Sequence, residues 1–256
     1  GAVNVTGAFN SVGIDDNGDA TTMTIDTSEN VNIGDATNRG FGPVQMGNAS
    51  NAQAYLQMLS STAGNIHFGD ATSGDARFIG SIVYRHDSNL MKFQTNGATG
   101  LQIDSTGAVT MPLQPAFSAQ SSTTLSNVPT NNAVQTIPFG TEIFDLNADF
   151  NTSNYTFTAP VTGKYLLTFC STLTNVDKDA TYIIIAIVTS NRSYRDANAF
   201  GINGYSADET RVEVSQTVLA DMDAGDTATV GIQQYQGTAQ MDVGEDTAFF
   251  MGHLVA

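Results

Sequence analysis

Positively charged residues are scarce in this chain of 256 residues. Nine Lys and Arg stand against 25 Asp and Glu, which gives a formal net charge of −16, and all charged residues together make up only 13%. About 25% is usual for a globular protein. A chain this acidic repels phosphate backbones and anionic lipid surfaces. We therefore expect no nucleic-acid partner and no attachment to an anionic membrane.

Cysteine and long apolar runs are also nearly absent. Cys170 is the single cysteine, so an intrachain disulfide is excluded and a large core or an oligomer must stabilise the fold. We expect Cys170, next to Phe169, to be a buried thiol. No run of about 18 apolar residues exists, so no membrane insertion is expected. The first residues lack Met and a basic segment, which predicts a processed or trimmed chain without a signal peptide.

The first part of the chain, residues 1–114, consists of short apolar segments separated by Gly, Asn and Asp. Segments of about five residues are too short for helices and predict strands. Turn sequences separate them, such as Thr95-Asn96-Gly97. One helix is predicted, over residues 49–61.

This first part also repeats itself. Residues 25–33 (IDTSENVNI) align with residues 103–111 (IDSTGAVTM), and residues 14–23 are a candidate third copy. The string GDAT at 34–37 returns at 69–72. Each unit predicts a strand, a turn and a strand. Because such hairpins are too small to bury a core, neighbouring units or other chains must cover them.

The second part, residues 115–256, has longer strands with clearer alternation of apolar and polar residues. Residues 182–188 are apolar throughout, as expected for a strand buried in a sandwich. Strands spaced by about 10–15 residues predict an all-β sandwich or jelly roll. Two prolines in residues 111–115 (MPLQP) disfavour both helix and ladder pairing, and we place the domain boundary there, between 114 and 115.

Three motifs in the second part resemble the C1q and tumour necrosis factor jelly roll. They are residues 154–169 (NYTFTAPVTGKYLLTF), residues 219–230 (LADMDAGDTATV) and the closing strand 249–255 (FFMGHLV). The resemblance covers residues 116–256. It implies a jelly-roll knob that assembles as a homotrimer.

The repeats of the first part are similar to those in the shafts of bacteriophage tail fibres. Residues 101–109 (LQIDSTGAV) and 82–97 (IVYRHDSNLMKFQTNG) carry that likeness. The chain lacks the Gly-Ile-Gly-Thr tail of such units and their self-cleaving end domain. Those shafts are homotrimers of interwoven hairpins, so both resemblances imply the same stoichiometry.

Residues suited to catalysis do not form a recognisable set. His67, His86 and His253 have no further ligand at a metal-like spacing, and Cys170 has no basic neighbour to lower the pKa of its thiol. Carboxylate pairs occur, as a glycosidase would need, but they lie in turns. We predict no catalytic residues and no enzyme. A polysaccharide depolymerase tailspike is kept as an alternative.

Two acidic segments suggest calcium as an alternative to having no cofactor. Residues 15–19 and 175–179 place oxygen-bearing side chains two apart, as calcium loops do. Neither has Gly at position six with Glu at position twelve. We expect solvated turns there and no metal ligands.

The few arginines give a candidate receptor-binding region. Three of the nine cations fall between residues 192 and 211, among Tyr, Phe and amide side chains. Arg binds carboxylates and phosphates, and Tyr rings stack on sugars. The candidate residues are Arg192, Tyr194, Arg195, Tyr205 and Arg211.

Together these features predict a virion protein that is extracellular and attaches to a host glycan or protein through a trimeric β knob. Its other partners would be further copies of itself and virion proteins at the N-terminal end. Alternatives are a capsid-decorating head fibre and a bacterial C1q-like adhesin. Tyr165, Leu167, Phe169 and Phe249 are predicted to line the core or the trimer seam.

Overall fold

The computed structural model describes residues 57–195 and 205–256, together with the backbones of strands β1 (Met23–Ile25) and β2 (Val31–Ile33). The chain separates into two compact units, Gly1–Leu59 and Ser60–Ala256. The predicted boundary between 114 and 115 stays a prediction. Residues 57–61 of the predicted helix are not helical, and the rest of that helix lies outside the described residues.

In the first unit, β1 pairs with β2 as an antiparallel hairpin in which Ile25 faces Val31. In the second unit, the aligned repeat forms another hairpin in which Ile103 faces Val109. The two copies therefore share the register of their closing pair. The candidate copy at residues 14–23 lies outside the described residues, apart from Met23.

The second unit begins with a five-stranded antiparallel sheet whose strands follow chain order. A short 3-10 helix, η1 (Asp75–Phe78), lies between its first two strands. Asn96 and Gly97 have φ of 49° and 73° and form a two-residue hairpin turn, which confirms the turn predicted there. The strands are β3 (Ala63–Phe68), β4 (Gly80–Arg85), β5 (Leu90–Thr95), β6 (Ala98–Ile103) and β7 (Val109–Thr110).

From residue 116 onwards the chain forms a knob of two antiparallel sheets, each of six strands. Sheet I has the order β10 (Thr141–Asp145), β8 (Ala116–Gln120), β19 (Phe249–Leu254), β13 (Gly163–Thr174), β16 (Val212–Met222), and β18 (Asp242–Val243) also pairs with β13. Sheet II has the order β11 (Phe150–Asn151), β12 (Thr156–Thr158), β17 (Thr227–Tyr235), β14 (Tyr182–Thr189), β15 (Ser193–Arg195), and β9 (Gln135–Thr136) also pairs with β17.

The two sheets enclose one apolar core. Phe117 stacks on Phe150 and Phe157 with ring centroids 4.9 and 4.6 Å apart, and Phe250 meets it edge-on. Offset and edge-to-face contacts of this kind add to the free energy gained by burying aromatic area. The described residues are thus all-β apart from η1, as predicted, and they contain no helix long and apolar enough to cross a membrane.

Candidate functional site

Three of the four predicted core or seam residues share one face of β13. Tyr165, Leu167 and Phe169 are completely buried between the sheets. The hydroxyl of Tyr165 donates to the carbonyl of Val161 at 2.8 Å, so its polar end is satisfied. Burial raises the pKa of this phenol.

Phe249 does not belong to this core. It is half-buried and faces away from sheet II, because Phe250 takes the inward position on β19. Gly252 also points inward, and a side chain there would collide with Leu167 and Phe117. The trimer seam is the place that remains proposed for Phe249.

The surface of sheet I that faces away from the core, here called the outer face, is uncharged at its centre. The ladder places Cys170 beside Phe249 and Ser215, and Thr168 beside Met251 and Thr217. Cys170 is half-buried there, not fully buried as predicted.

The two ends of the outer face carry ion pairs. Lys164 pairs with Asp221 at the end where the chain enters and leaves the knob, and Arg211 lies 3.6 Å from Glu213 at the opposite end. Both pairs are exposed and contribute little stability. They leave the centre of the face free of charge.

The turn between β14 and β15 brings two of the predicted receptor residues together. The guanidinium carbon of Arg192 lies 5.9 Å from the centre of the Tyr194 ring, within the range of a cation–π contact. Gln216 fixes this strand to sheet I, since its side chain donates to the carbonyl of Tyr194 and accepts from the N–H of Ile187. The backbone of Tyr194 is thus bonded to both sheets.

Arg192 and Tyr194 line a cavity of about 470 Å³, here called the edge pocket, which lies between the edges of the two sheets. Its remaining charged groups, Lys164 and Asp221, come from neighbouring strands of sheet I. Sequence reasoning missed them because a ladder pairing across 57 residues leaves no local signal. The edge pocket is lined by Lys164, Asn191, Arg192, Tyr194, Leu219 and Asp221.

Asp226 holds one wall of the edge pocket. It accepts hydrogen bonds from the hydroxyl of Ser190 at 2.7 Å, from the side chain of Asn191 and from the N–H of Asp223. These bonds, the one from Ser190 foremost, lower the pKa of the Asp226 carboxyl. Asp221 offsets the positive charge of Lys164 by pairing with it.

The other predicted receptor residues do not join this pocket. Arg195 pairs with Ala186 at the end of β15. Tyr205 is exposed and follows residues 196–204 in the sequence, which lie outside the described part of the chain. Arg211 lies at the opposite end of β16, 3.4 Å from the hydroxyl of Thr172, beside a second cavity of about 430 Å³.

The predicted acidic loop at residues 175–179 uses its central carboxylate inside the protein. Asp177 is buried and accepts backbone N–H bonds from Asp179 at 2.7 Å, from Ala239 at 2.6 Å and from Thr238. Burial opposes ionisation, but these bonds outweigh it and hold the pKa of Asp177 below its usual value. Asp177 therefore ties two loops together.

Within the described residues no group of three or more His, Cys, Asp or Glu is arranged to hold a metal ion. Calcium stays an untested alternative, and residues 15–19 lie outside the described residues. Burial, together with the charge of Asp145, raises the pKa of the Asp149 carboxyl. The carboxylate of Asp145 accepts a hydrogen bond of 2.7 Å from the backbone N–H of Phe150.

A comparison with protein families decides the relationship of the knob. The family model described as "C1q domain" matches residues 116–255, more than half of the chain. The chain belongs to the C1q domain family. This match confirms the resemblance seen in residues 154–169, 219–230 and 249–255, and the knob is a C1q-like jelly roll.

Solved structures similar to the chain include the globular domain of zebrafish complement 1qA protein and murine APRIL. The first is 18% identical with a TM-score of 0.37, and the match covers 56% of this chain and 98% of that one. The second is 11% identical with a TM-score of 0.39, covering 56% and 99%. A search of curated protein sequences gave no match.

Proposed function

We propose that this chain forms a trimeric fibre in which the C1q domain binds a ligand on a cell surface and the hairpin repeats form a stalk. The observation that carries the proposal is the outer face of sheet I. In a chain of net charge −16, the centre of this face carries Leu166, Thr168, Phe249 and Met251 and no charged residue. Identical acidic chains can approach each other there without like-charge repulsion.

Trimer assembly is the usual way in which C1q domains bind their ligands. An apolar, uncharged face is also what an interface between identical chains requires at its centre. Burying Phe249 and Met251, which are half-buried in the single chain, would remove apolar area from water. The ion pairs at the two ends then lie at the rim.

The assembly is tested with a charge placed at the centre of the outer face. Thr168→Glu should dissociate the trimer, because burying an unpaired carboxylate is costly. Thr229→Glu is the matched control, since Thr229 is half-buried on β17 in sheet II and faces the solvent side. Sedimentation should give about three times 27.0 kDa for the parent and the control. A folded monomer for the parent, or an intact trimer for Thr168→Glu, would contradict the proposal.

The ligand site that we propose is the edge pocket, and its ligand class is a sugar that carries a carboxylate. Arg192 can bind the carboxylate with two parallel hydrogen bonds, and Tyr194 offers a ring on which a sugar can stack. Before the ligand arrives, Asp226 fixes Ser190 and Asn191 in the turn that precedes Arg192, and Gln216 fixes the backbone of Tyr194. Three such sites on one stalk raise the avidity well above that of one site.

Surfaces coated with oligosaccharides that contain uronic or sialic acid test this site. Arg192→Ala should weaken binding about 10- to 100-fold, as expected when a hydrogen bond to a charged group is lost. Arg211→Ala is the matched control, because it removes the same charge at the opposite end of β16. If Arg211→Ala weakens binding and Arg192→Ala does not, the ligand binds at the other end of the knob.

A virion fibre suits these features better than an enzyme does. The shared register of the β1–β2 and β6–β7 hairpins supports a stalk built from repeated units. C1q domains are generally binding modules, so we propose that attachment needs no catalysis. The place of action would be the surface of a bacteriophage particle.

A further inference from the structure

The five-stranded sheet has two faces of opposite character. One face, here called the apolar face, consists of two rows set by the strand register, Ile66–Ile82–Phe93–Leu101 and Tyr84–Met91–Ile103. The next positions along the strands, among them Asn65, Ser81 and Lys92, alternate to the other face. Most of the apolar side chains of this sheet are therefore gathered on one side, whereas Val83 and Leu90 are on the other.

Among the described residues, those that lie against this sheet cover its polar face. The loop at 69–79 places Phe78 against His67, with ring centroids 5.7 Å apart. On this face Ser81 and Val83 are buried, and the hydroxyl of Ser81 donates to the side-chain oxygen of Gln94 at 2.7 Å. The apolar face holds no buried residue, and Phe93 on it is 41% exposed.

Charge is distributed in the same way. The charged residues within these strands are Arg85 and Lys92, and both lie on the polar face. Asp87 and Asp104 lie in turns. The apolar face is thus a side on which two copies of this acidic chain can meet without bringing like charges together.

We propose that the apolar face is an interface between copies of this chain within the trimer, an inference that rests on the proposed trimer. Only residues 111–115 separate β7 from β8, a distance of at most about 18 Å when fully extended. Their knob end is held by a 2.8 Å bond from the side chain of Gln114 to the carbonyl of Leu254. Three assembled knobs therefore hold three copies of this sheet close together.

The area of the face explains why the occupant is a tethered copy and not a freely diffusing protein. Four strands of six residues about 4.8 Å apart, with the two-residue β7 at one edge, span a face of roughly 400 Å². A stable complex buries about 800 Å² on each partner. Because the face supplies about half of that, association needs the effective concentration that a short tether provides, which is in the millimolar range.

Cross-linking tests the contact in the full-length chain. Cys170→Ser first removes the native thiol, and single cysteines are then placed by Phe93→Cys or Ile66→Cys on the apolar face. Asn65→Cys is the matched control, because Asn65 is exposed, adjacent to Ile66 and on the opposite face. With a short bis-maleimide, the two apolar-face variants should link different chains about tenfold or more above the control, given the tether.

The outcomes separate this inference from the proposed function. A chain that sediments as a monomer overturns the proposed trimer and this interface with it. A trimer in which Phe93→Cys and Ile66→Cys link no better than Asn65→Cys overturns the interface alone. A thiol at position 93 that is shielded from a monovalent maleimide but never links to another chain also overturns it, since a segment of its own chain would then cover the face.

Discussion

The knob and the five-stranded sheet are both antiparallel, but they bury their apolar side chains in opposite ways. The knob places 27 hydrophobic residues in one continuous core between two sheets. The five-stranded sheet buries Val83 and Ser81 on its polar side and leaves Ile66, Phe68 and Phe93 exposed on the other. The knob should therefore fold on its own contacts, whereas the proposed interface makes the sheet depend on neighbouring chains.

This difference shows that alternation of apolar and polar residues is not enough to make an independent domain. A second layer must cover the apolar side, and in the knob sheet II supplies it for sheet I. In the five-stranded sheet the loop with η1 lies on the polar side instead. Stability of the two regions can therefore be changed separately.

The largest effect is expected from Phe169→Ala in the knob. Phe169 is completely buried and meets Phe139 edge-on at 6.1 Å. Truncating a buried Phe leaves a cavity and should lower the free energy of unfolding of the knob by about 3–5 kcal/mol. Amide hydrogen exchange should quicken in β13 and β14 and stay unchanged in β4 and β5.

Thr168→Ala is the control for this change, since Thr168 is the preceding residue and faces outward. The conclusion that the two regions are stabilised separately would be refuted if Phe169→Ala quickened amide hydrogen exchange equally in the five-stranded sheet. An unchanged unfolding midpoint would refute the place of Phe169 in the core.

A smaller effect is expected from Asp177→Asn. Its dependence on pH tests whether the knob can be destabilised without affecting the five-stranded sheet. The folded protein lowers the pKa of Asp177, so the carboxylate stabilises the fold at pH values above the unfolded pKa of about 4. That contribution is lost as the pH falls through the folded pKa. The amide has a single acceptor oxygen, so it cannot accept from Asp179 on one side and from Ala239 and Thr238 on the other, which should cost about 1–3 kcal/mol at neutral pH.

Denaturation between pH 7 and pH 2 measures this contribution. The parent and Asp177→Asn should differ at neutral pH and converge in acid, and exchange in the five-stranded sheet should be the same in both. A difference in stability that stays constant down to pH 2 would show that ionisation of Asp177 plays no part. Asp179→Asn is a suitable control, because its exposed carboxylate pairs only with the adjacent Lys178 among the described residues.

Much of the fold could be predicted from local sequence signals. The Asn96-Gly97 turn follows from the need for positive φ at both positions, which these two residues tolerate best. The all-β character follows from short alternating segments, and the C1q relationship follows from the closing strand and the Gly225-Asp226 turn. These features depend on residues close together in the chain.

The features that could not be predicted depend on distant contacts. The edge pocket joins Lys164 to Arg192 and Asp221 through strand register, which local patterns do not specify. Because Phe249 and Phe250 are adjacent and both apolar, the sequence does not show which of the two side chains faces inward. Gly252 was a usable signal, because only a residue without a side chain fits against Leu167 and Phe117, and Phe250 shares its face.

The pairing of the first and last strands of the knob has a mechanical consequence. Ala116 begins β8 opposite His253 of β19, and β8 is also paired with β10 on its other side. A pull on the chain ahead of Ala116, directed along the strand, loads the hydrogen bonds of both ladders at the same time. Bonds loaded in shear must break together, whereas bonds at the end of a hairpin can open one by one. The knob is therefore built to stay folded under tension that arrives through residues 111–115.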